Sequence, residues 1–166
     1  MKFIVNSTIL LKEVQKLSSL VSSTNTLPIL DNFLFEISSN KLSIIASDLE
    51  TTMISLIQIE SQDEGKIAIP SRMILDTLKS FSNHLLTFIV DMNKFTIEMS
   101  SETGNYKLAG QNGDDFPKTP SLSTSNKINI NSSVLLNAIN KTLFASGNDE
   151  LRPVMSGVYC ELSNEN

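Results

Sequence analysis

The chain starts over partway along. Displaced by 125 positions, residues 2–41 lie over residues 127–166 without a gap, and nine of the forty positions are identical. The other positions keep their character: Ile9 returns as Val134, Val14 as Ile139, Ile29 as Val154 and Phe33 as Val158, while Leu10, Leu11 and Pro28 recur as Leu135, Leu136 and Pro153. A shorter copy sits at a displacement of 64, where Lys66-Ile67-Ala68-Ile69-Pro70-Ser71 follows Lys2-Phe3-Ile4-Val5-Asn6-Ser7. There Ile74, Leu75, Leu78 and Phe81 take the places of Leu10, Leu11, Val14 and Leu17. Stacked solenoids repeat every 20 to 50 residues or so, and this longer period describes instead a duplicated domain made of two halves.

The expected organisation is therefore a first domain at 1–121, with halves near 1–64 and 65–121, a polar linker at 122–126, and the opening β-α-β of a second copy at 127–166. Each half reads strand, helix, then three strands. In the first, a strand at 2–5 leads to a helix with Leu10, Val14, Leu17 and Val21 on one side and Lys12, Lys16 and Ser19 on the other. Ser7 is the expected helix cap. Pro28 keeps Leu27 extended because its ring clashes with a helical predecessor. Strands follow to residue 37, at 41–46 and at 52–60, and the second half repeats the order with a helix at 71–81 and strands at 86–90, 95–99 and 106–109. The strands are too closely spaced for parallel crossovers, so they pair antiparallel. The expected class is α+β: duplicated βαβββ units with helices packed on one face of antiparallel sheets.

Composition narrows the function. No apolar run approaches the ~20 residues that span a bilayer. The apolar-leaning run before Asn6 is shorter than a signal-peptide core of about 7–15 residues. With a single cysteine, Cys160, a cytoplasmic protein is expected and no membrane partner. Catalytic constellations are missing: His84 is the one histidine, Asp48/Glu50 and Asp114/Asp115 read as turn formers, and no phosphate-binding loop or Cys/His metal set can be written. No enzyme activity, metal or cofactor is expected.

The positive signal is the distribution of charge. The chain has a formal net charge of −5, yet the three helix windows carry Lys12, Lys16, Arg72, Lys79 and Lys141 against only Glu13 and Asp76. Under the 125 shift Lys12, Gln15 and Lys16 return as Asn137, Asn140 and Lys141. Basic residues on equivalent elements of a repeated unit make a surface that meets phosphates without reading bases. The rival expectation is a non-catalytic interaction scaffold that works through its acidic strands.

Several stretches carry a resemblance: Thr26-Leu27-Pro28-Ile29-Leu30 with Asn32, Ala46-Ser47-Asp48-Leu49-Glu50, Asp115-Phe116-Pro117, and Arg152-Pro153-Val154-Met155-Ser156-Gly157-Val158. Together, and in this order along the chain, they resemble the bacterial DNA sliding clamps, the beta subunits of DNA polymerase III. The resemblance implies a processivity factor of DNA replication. Its members carry three copies of the domain in a protomer, and two protomers close head to tail into a ring around duplex DNA, with helices lining the channel. It implies sequence-independent duplex DNA, polymerase III subunits, a clamp loader and a second protomer as partners. Arg152 then joins the DNA-contacting set, and Tyr106 and Leu108 fall on the edge strand that meets the neighbouring protomer. Thr24-Asn25 stand where some members carry a basic DNA-contacting residue, and Asn148 and Val154 where some carry His or Tyr. On this reading residues 1–166 amount to the first domain and the start of the second, a truncated chain not expected to close a ring. The helix at 132–144, lacking covering strands, is expected to self-associate or to be the least protected region.

Overall fold

The computed structural model describes residues 1–21, 27–102, 104–118, 128–147 and 151–161. Thr24, Asn25, Thr26, the 122–126 linker, Lys127 and Asn148 lie outside these residues. The chain divides into two compact units, Met1–Pro120 and Ser121–Asn166.

In the first unit, β1 (Lys2–Asn6) runs directly into α1 (Ser7–Leu17). A 3-10 turn at Pro28–Asp31 introduces β2 (Asn32–Ser38), β3 (Lys41–Ser47), β4 (Thr52–Gln58) and the two-residue β5 (Glu60–Ser61). The second half supplies β6 (Gly65–Pro70), α2 (Ser71–Lys79), β7 (Leu85–Asp91), β8 (Thr96–Ser101), β9 (Gly104–Ala109) and β10 (Gln111–Asn112). These strands form two five-stranded sheets, ordered β5-β1-β7-β8-β9 and β10-β6-β2-β3-β4, with every pairing antiparallel.

The halves exchange their first strands. β1 opens the first half but pairs with β7 of the second over Lys2–Asn6, and β6 opens the second half but pairs with β2. The backbone groups of each half are thereby satisfied by the other, and neither half has a closed hydrogen-bond ladder alone. The stretch 52–60, read from sequence as one strand, serves both sheets. It breaks at Ile59, whose N–H donates to the Asn40 carbonyl at 3.0 Å, and β5 crosses to pair with β1.

Alternate strand residues meet the helices in one core. Phe3, Phe33, Phe35, Ile44, Ile67, Ile69, Leu86 and Phe88 pack with Leu10, Val14 and Leu17 of α1 and Ile74 and Leu78 of α2. Phe3 stacks on Phe88 with ring centroids 4.6 Å apart, joining adjacent strands that come from different halves. Burying each such side chain is worth roughly 1.5–3 kcal/mol. A smaller cluster of Leu30, Leu34, Ile45 and Phe116 covers the opposite face of the second sheet. It explains two of the motifs. Leu27 is extended before Pro28 as expected, the 3-10 turn delivers Leu30, and the buried Asn32 Nδ2–H donates to the Ile29 carbonyl at 2.9 Å. Phe116 of the Asp-Phe-Pro stretch closes the cluster.

The helix cap differs from expectation. Asn6, not Ser7, stands outside the helix, and its Oδ1 accepts from the N–H groups of Thr8 at 2.9 Å and Ile9 at 3.2 Å. Ser7 is already helical and buried, and its hydroxyl donates to the Ser82 carbonyl at 2.6 Å. The strand thus enters the helix one residue earlier, and the longer amide reaches the orphan donors that a hydroxyl would otherwise take.

The second unit contains α3 (Ser132–Thr142) and 3-10 turns at Leu143–Ala145 and Pro153–Ser156. Asn131 caps α3 by accepting from the Ser133 N–H at 2.9 Å, the role of Asn6 repeated 125 residues on. Among the described residues of this unit, 128–130 and 158–161, where strands are expected, are not in strands. The apolar spacing of α1 is kept, yet α3 buries none of its residues. Leu135 is 42% exposed where the equivalent Leu10 is 0% exposed.

The cap generates a prediction. Asn6→Ala removes both capping bonds and the link from Asn6 Nδ2–H to Asn83 Oδ1, and is expected to cost about 1 kcal/mol. The denaturant midpoint should fall while the slope of the transition stays constant.

Candidate nucleic-acid interface

α1 turns Leu10, Val14 and Leu17 into the core and leaves Lys12, Gln15 and Lys16 exposed; α2 buries Ile74 and Leu78 and exposes Arg72 and Lys79. The two helices pack against each other within the first unit, so these four cations lie on neighbouring elements. A cleft of about 570 Å³ runs from Ser18 and Val21, just past α1, to Arg72, Asp76 and Lys79 of α2, with Asp31 on its wall. Lys141 is exposed in the last turn of α3, the position Lys16 occupies in α1, and Arg152 is exposed just before the Pro153–Ser156 turn.

The cations are not equivalent. The Lys16 ammonium donates to both Glu13 oxygens, at 2.7 and 2.9 Å. Glu13 Oε2 also accepts from the Ser55 hydroxyl of β4 at 2.7 Å, which ties the helix flank to the sheet. Lys79 pairs with Asp76 at 3.1 Å. Lys12 and Arg72 form no ion pair among the described residues. The i,i+3 spacing of both pairs was visible in the sequence. The bond from Glu13 to Ser55, spanning 42 residues, was not.

The Lys16 hydrogen bond, then that of Ser55, then the charges of Lys16 and Lys12 hold the Glu13 carboxyl below the usual glutamate range. A carboxyl depressed by folding contributes stability that is present above its unfolded pKa and is lost as pH falls through its folded pKa. Glu13 is therefore expected to titrate below ordinary glutamates. Carboxyl carbon shifts followed by NMR across acid pH should show this, and Ser55→Ala should move the midpoint back upward.

The edge strand β9 separates the two residues that the resemblance assigned to a protomer interface. Tyr106 is 41% exposed, with its ring edge-on to Phe81 at 5.1 Å. Leu108 is 6% exposed and belongs to the main core. Its side chain is therefore buried: two residues apart on β9, Tyr106 and Leu108 share the face that meets the core, with Leu108 inside it and Tyr106 at its margin against Phe81. Leu108→Ala should act as a core truncation, lowering stability by about 2–5 kcal/mol in chemical denaturation.

The carboxylates weighed as chemical groups have structural partners. Asp48 Oδ1 accepts from the N–H groups of Glu50 at 3.0 Å and Thr51 at 2.6 Å, organising the β3–β4 turn in which Leu49 adopts a φ of 78°. Asp114 pairs with Lys66 at 2.7 Å and holds that ammonium above its usual range. The His84 backbone brackets Ser7: its carbonyl accepts the Ser7 N–H at 2.9 Å, and its own N–H donates to the Ser7 hydroxyl at 3.1 Å. Among the described residues no three His, Cys, Asp or Glu side chains are grouped to hold a metal, and no helix is long and apolar enough to cross a membrane.

Two βαβββ halves that exchange strands, with both helices on one face of the paired sheets, define the DNA clamp fold. The solved DNA polymerase sliding clamp of Caulobacter crescentus superposes with a TM-score of 0.90 at 25% identity, covering 99% of this chain and 45% of that one. The DNA polymerase III subunit beta of Pseudomonas aeruginosa gives 0.86 at 26% identity, covering 95% and 43%. The family model for the N-terminal domain of the DNA polymerase III beta subunit matches residues 1–120, and the chain belongs to that family. Among curated relatives, the beta sliding clamp of Vibrio cholerae is 29% identical over 98% of this chain. The one from Vibrio harveyi is 31% identical over 87%. The chain spans 44% of the Vibrio cholerae protein and 100% of the Vibrio harveyi sequence.

Proposed function

We propose that this chain supplies the first domain, and the start of the second, of a cytoplasmic DNA sliding clamp, a non-enzymatic factor that keeps a replicative polymerase on duplex DNA. The observation that carries this reading is the placement of charge. In a chain of net charge −5, Lys12, Lys16, Arg72 and Lys79 stand exposed on two packed helices of a clamp-fold unit. Contact with phosphates through such side chains is independent of base sequence, which suits a protein that must move along DNA. Lys141 and Arg152, exposed within the second unit, are further proposed phosphate contacts.

The edges of the sheets support assembly into a ring. Each sheet ends on one two-residue strand, β5 or β10, and on one longer strand, β9 or β4, whose outer backbone groups are unpaired within the sheet. Units that join edge to edge in one direction close into rings when the rotation permits. The proposed partners are a second protomer meeting β9 head to tail, the subunits of polymerase III, and a clamp loader.

The DNA reading is tested with Lys12→Glu and Arg72→Glu in the 166-residue chain, by titrating a mixed-sequence duplex over a range of salt. The parent should bind weakly at low salt, and each substitution should flatten the log–log salt dependence by roughly 0.9. An affinity that is unchanged in both variants would overturn the assignment.

A further inference from the structure

The helix face holds two kinds of cation, and the difference is built by two carboxylates. Lys12 and Arg72 form no ion pair among the described residues, whereas Glu13 holds Lys16 at 2.7 Å and Asp76 holds Lys79 at 3.1 Å. Resting on the reading of this face as the one that meets duplex DNA, we propose that Glu13 and Asp76 are positioning residues that set the strength of the hold, keeping the first unit at two effective phosphate contacts instead of four.

Three observations carry this. Glu13 is fixed: its side chain is 20% exposed and its Oε2 is anchored to Ser55 of β4, so its charge cannot swing away when a phosphate approaches. Both of its oxygens are engaged by one ammonium, so Lys16 must give up two charge-assisted hydrogen bonds to reach DNA. Asp76 lies in the cleft with Arg72 and Lys79, where its charge opposes an incoming phosphate as well as pairing with Lys79. Every phosphate neutralised adds a counterion-release increment of about 0.9 to the salt slope. A clamp that gripped through all four cations would bind more tightly and move less readily, and each paired carboxylate removes one increment.

The test is Glu13→Gln and Asp76→Asn in the full 166-residue chain, with the same duplex and salt series. Each is expected to bind more tightly at low salt and to steepen the slope by about 0.9, as one further phosphate contact would. A double-mutant cycle separates this from a purely helical role: Glu13→Gln combined with Lys16→Gln should return to the slope of the parent, because the added contact is made by Lys16. Ser55→Ala, which loosens the anchor but keeps the charge, should give a smaller increase than Glu13→Gln. Should Glu13→Gln and Asp76→Asn leave the slope unchanged while Lys12→Glu and Arg72→Glu flatten it, the counter-charge role is overturned and the DNA reading stands. If none of the four substitutions moves the slope, both fall together.

Discussion

The exchange of first strands between the halves is the constraint on which the rest of the molecule depends. β1 pairs along its whole length with β7 of the other half and over only two residues with β5, and β6 pairs along its whole length with β2 of the other half and over only two residues with β10. Buried backbone groups left unpaired are costly, so either half by itself would expose or orphan a central ladder. The exchange also fixes the helices. Each begins within a residue of the end of an exchanged strand, α1 after β1 and α2 after β6, so both start on the same side of the paired sheets and pack against each other. The cationic face is a product of that topology: Lys12 and Arg72 are far apart in sequence and are brought to neighbouring helices by two strand crossings.

Electrostatics on this face is a matter of balance more than accumulation. Surface ion pairs contribute little to stability in water, and the Glu13 and Asp76 pairs need not be read as devices for holding helices together. Their larger effect is on what the surface presents to a polyanion, because a lysine already paired to a carboxylate offers a phosphate less than a solvated one. The anchoring of Glu13 by Ser55 makes that balance a property of the fold.

Three of the four stretches that carry the family resemblance have structural partners within the first unit, while residues 152–157 of the fourth are exposed. Leu30 and Phe116 pack in the small outer cluster, Asn32 binds the carbonyl of the 3-10 turn, and Asp48 organises the β3–β4 turn. Recognition in this chain thus runs through packing and turn chemistry. Phosphate contact asks only for a positive charge at about the right place, a demand many residues and positions can meet.

The repeat and the periodicity of its apolar residues determined the α+β class, the βαβββ order, the antiparallel pairing and the basic leaning of the helices, because these follow from local spacing and steric preference. Three features were decided only in three dimensions. The 52–60 stretch divides between two sheets because Ile59 finds the Asn40 carbonyl, and strand spacing carries no record of which ladder a residue will join. Leu108 lies in the core because α2 and β6 pack beside β9, whereas the resemblance implied a place at a protomer interface. Glu13 meets Ser55 across 42 residues, so Lys16 and Lys12, alike as exposed lysines on one helix face, differ in what they can offer a phosphate. Local sequence sets which residues a chain exposes; which exposed charges remain unpaired depends on neighbours that only the folded backbone supplies.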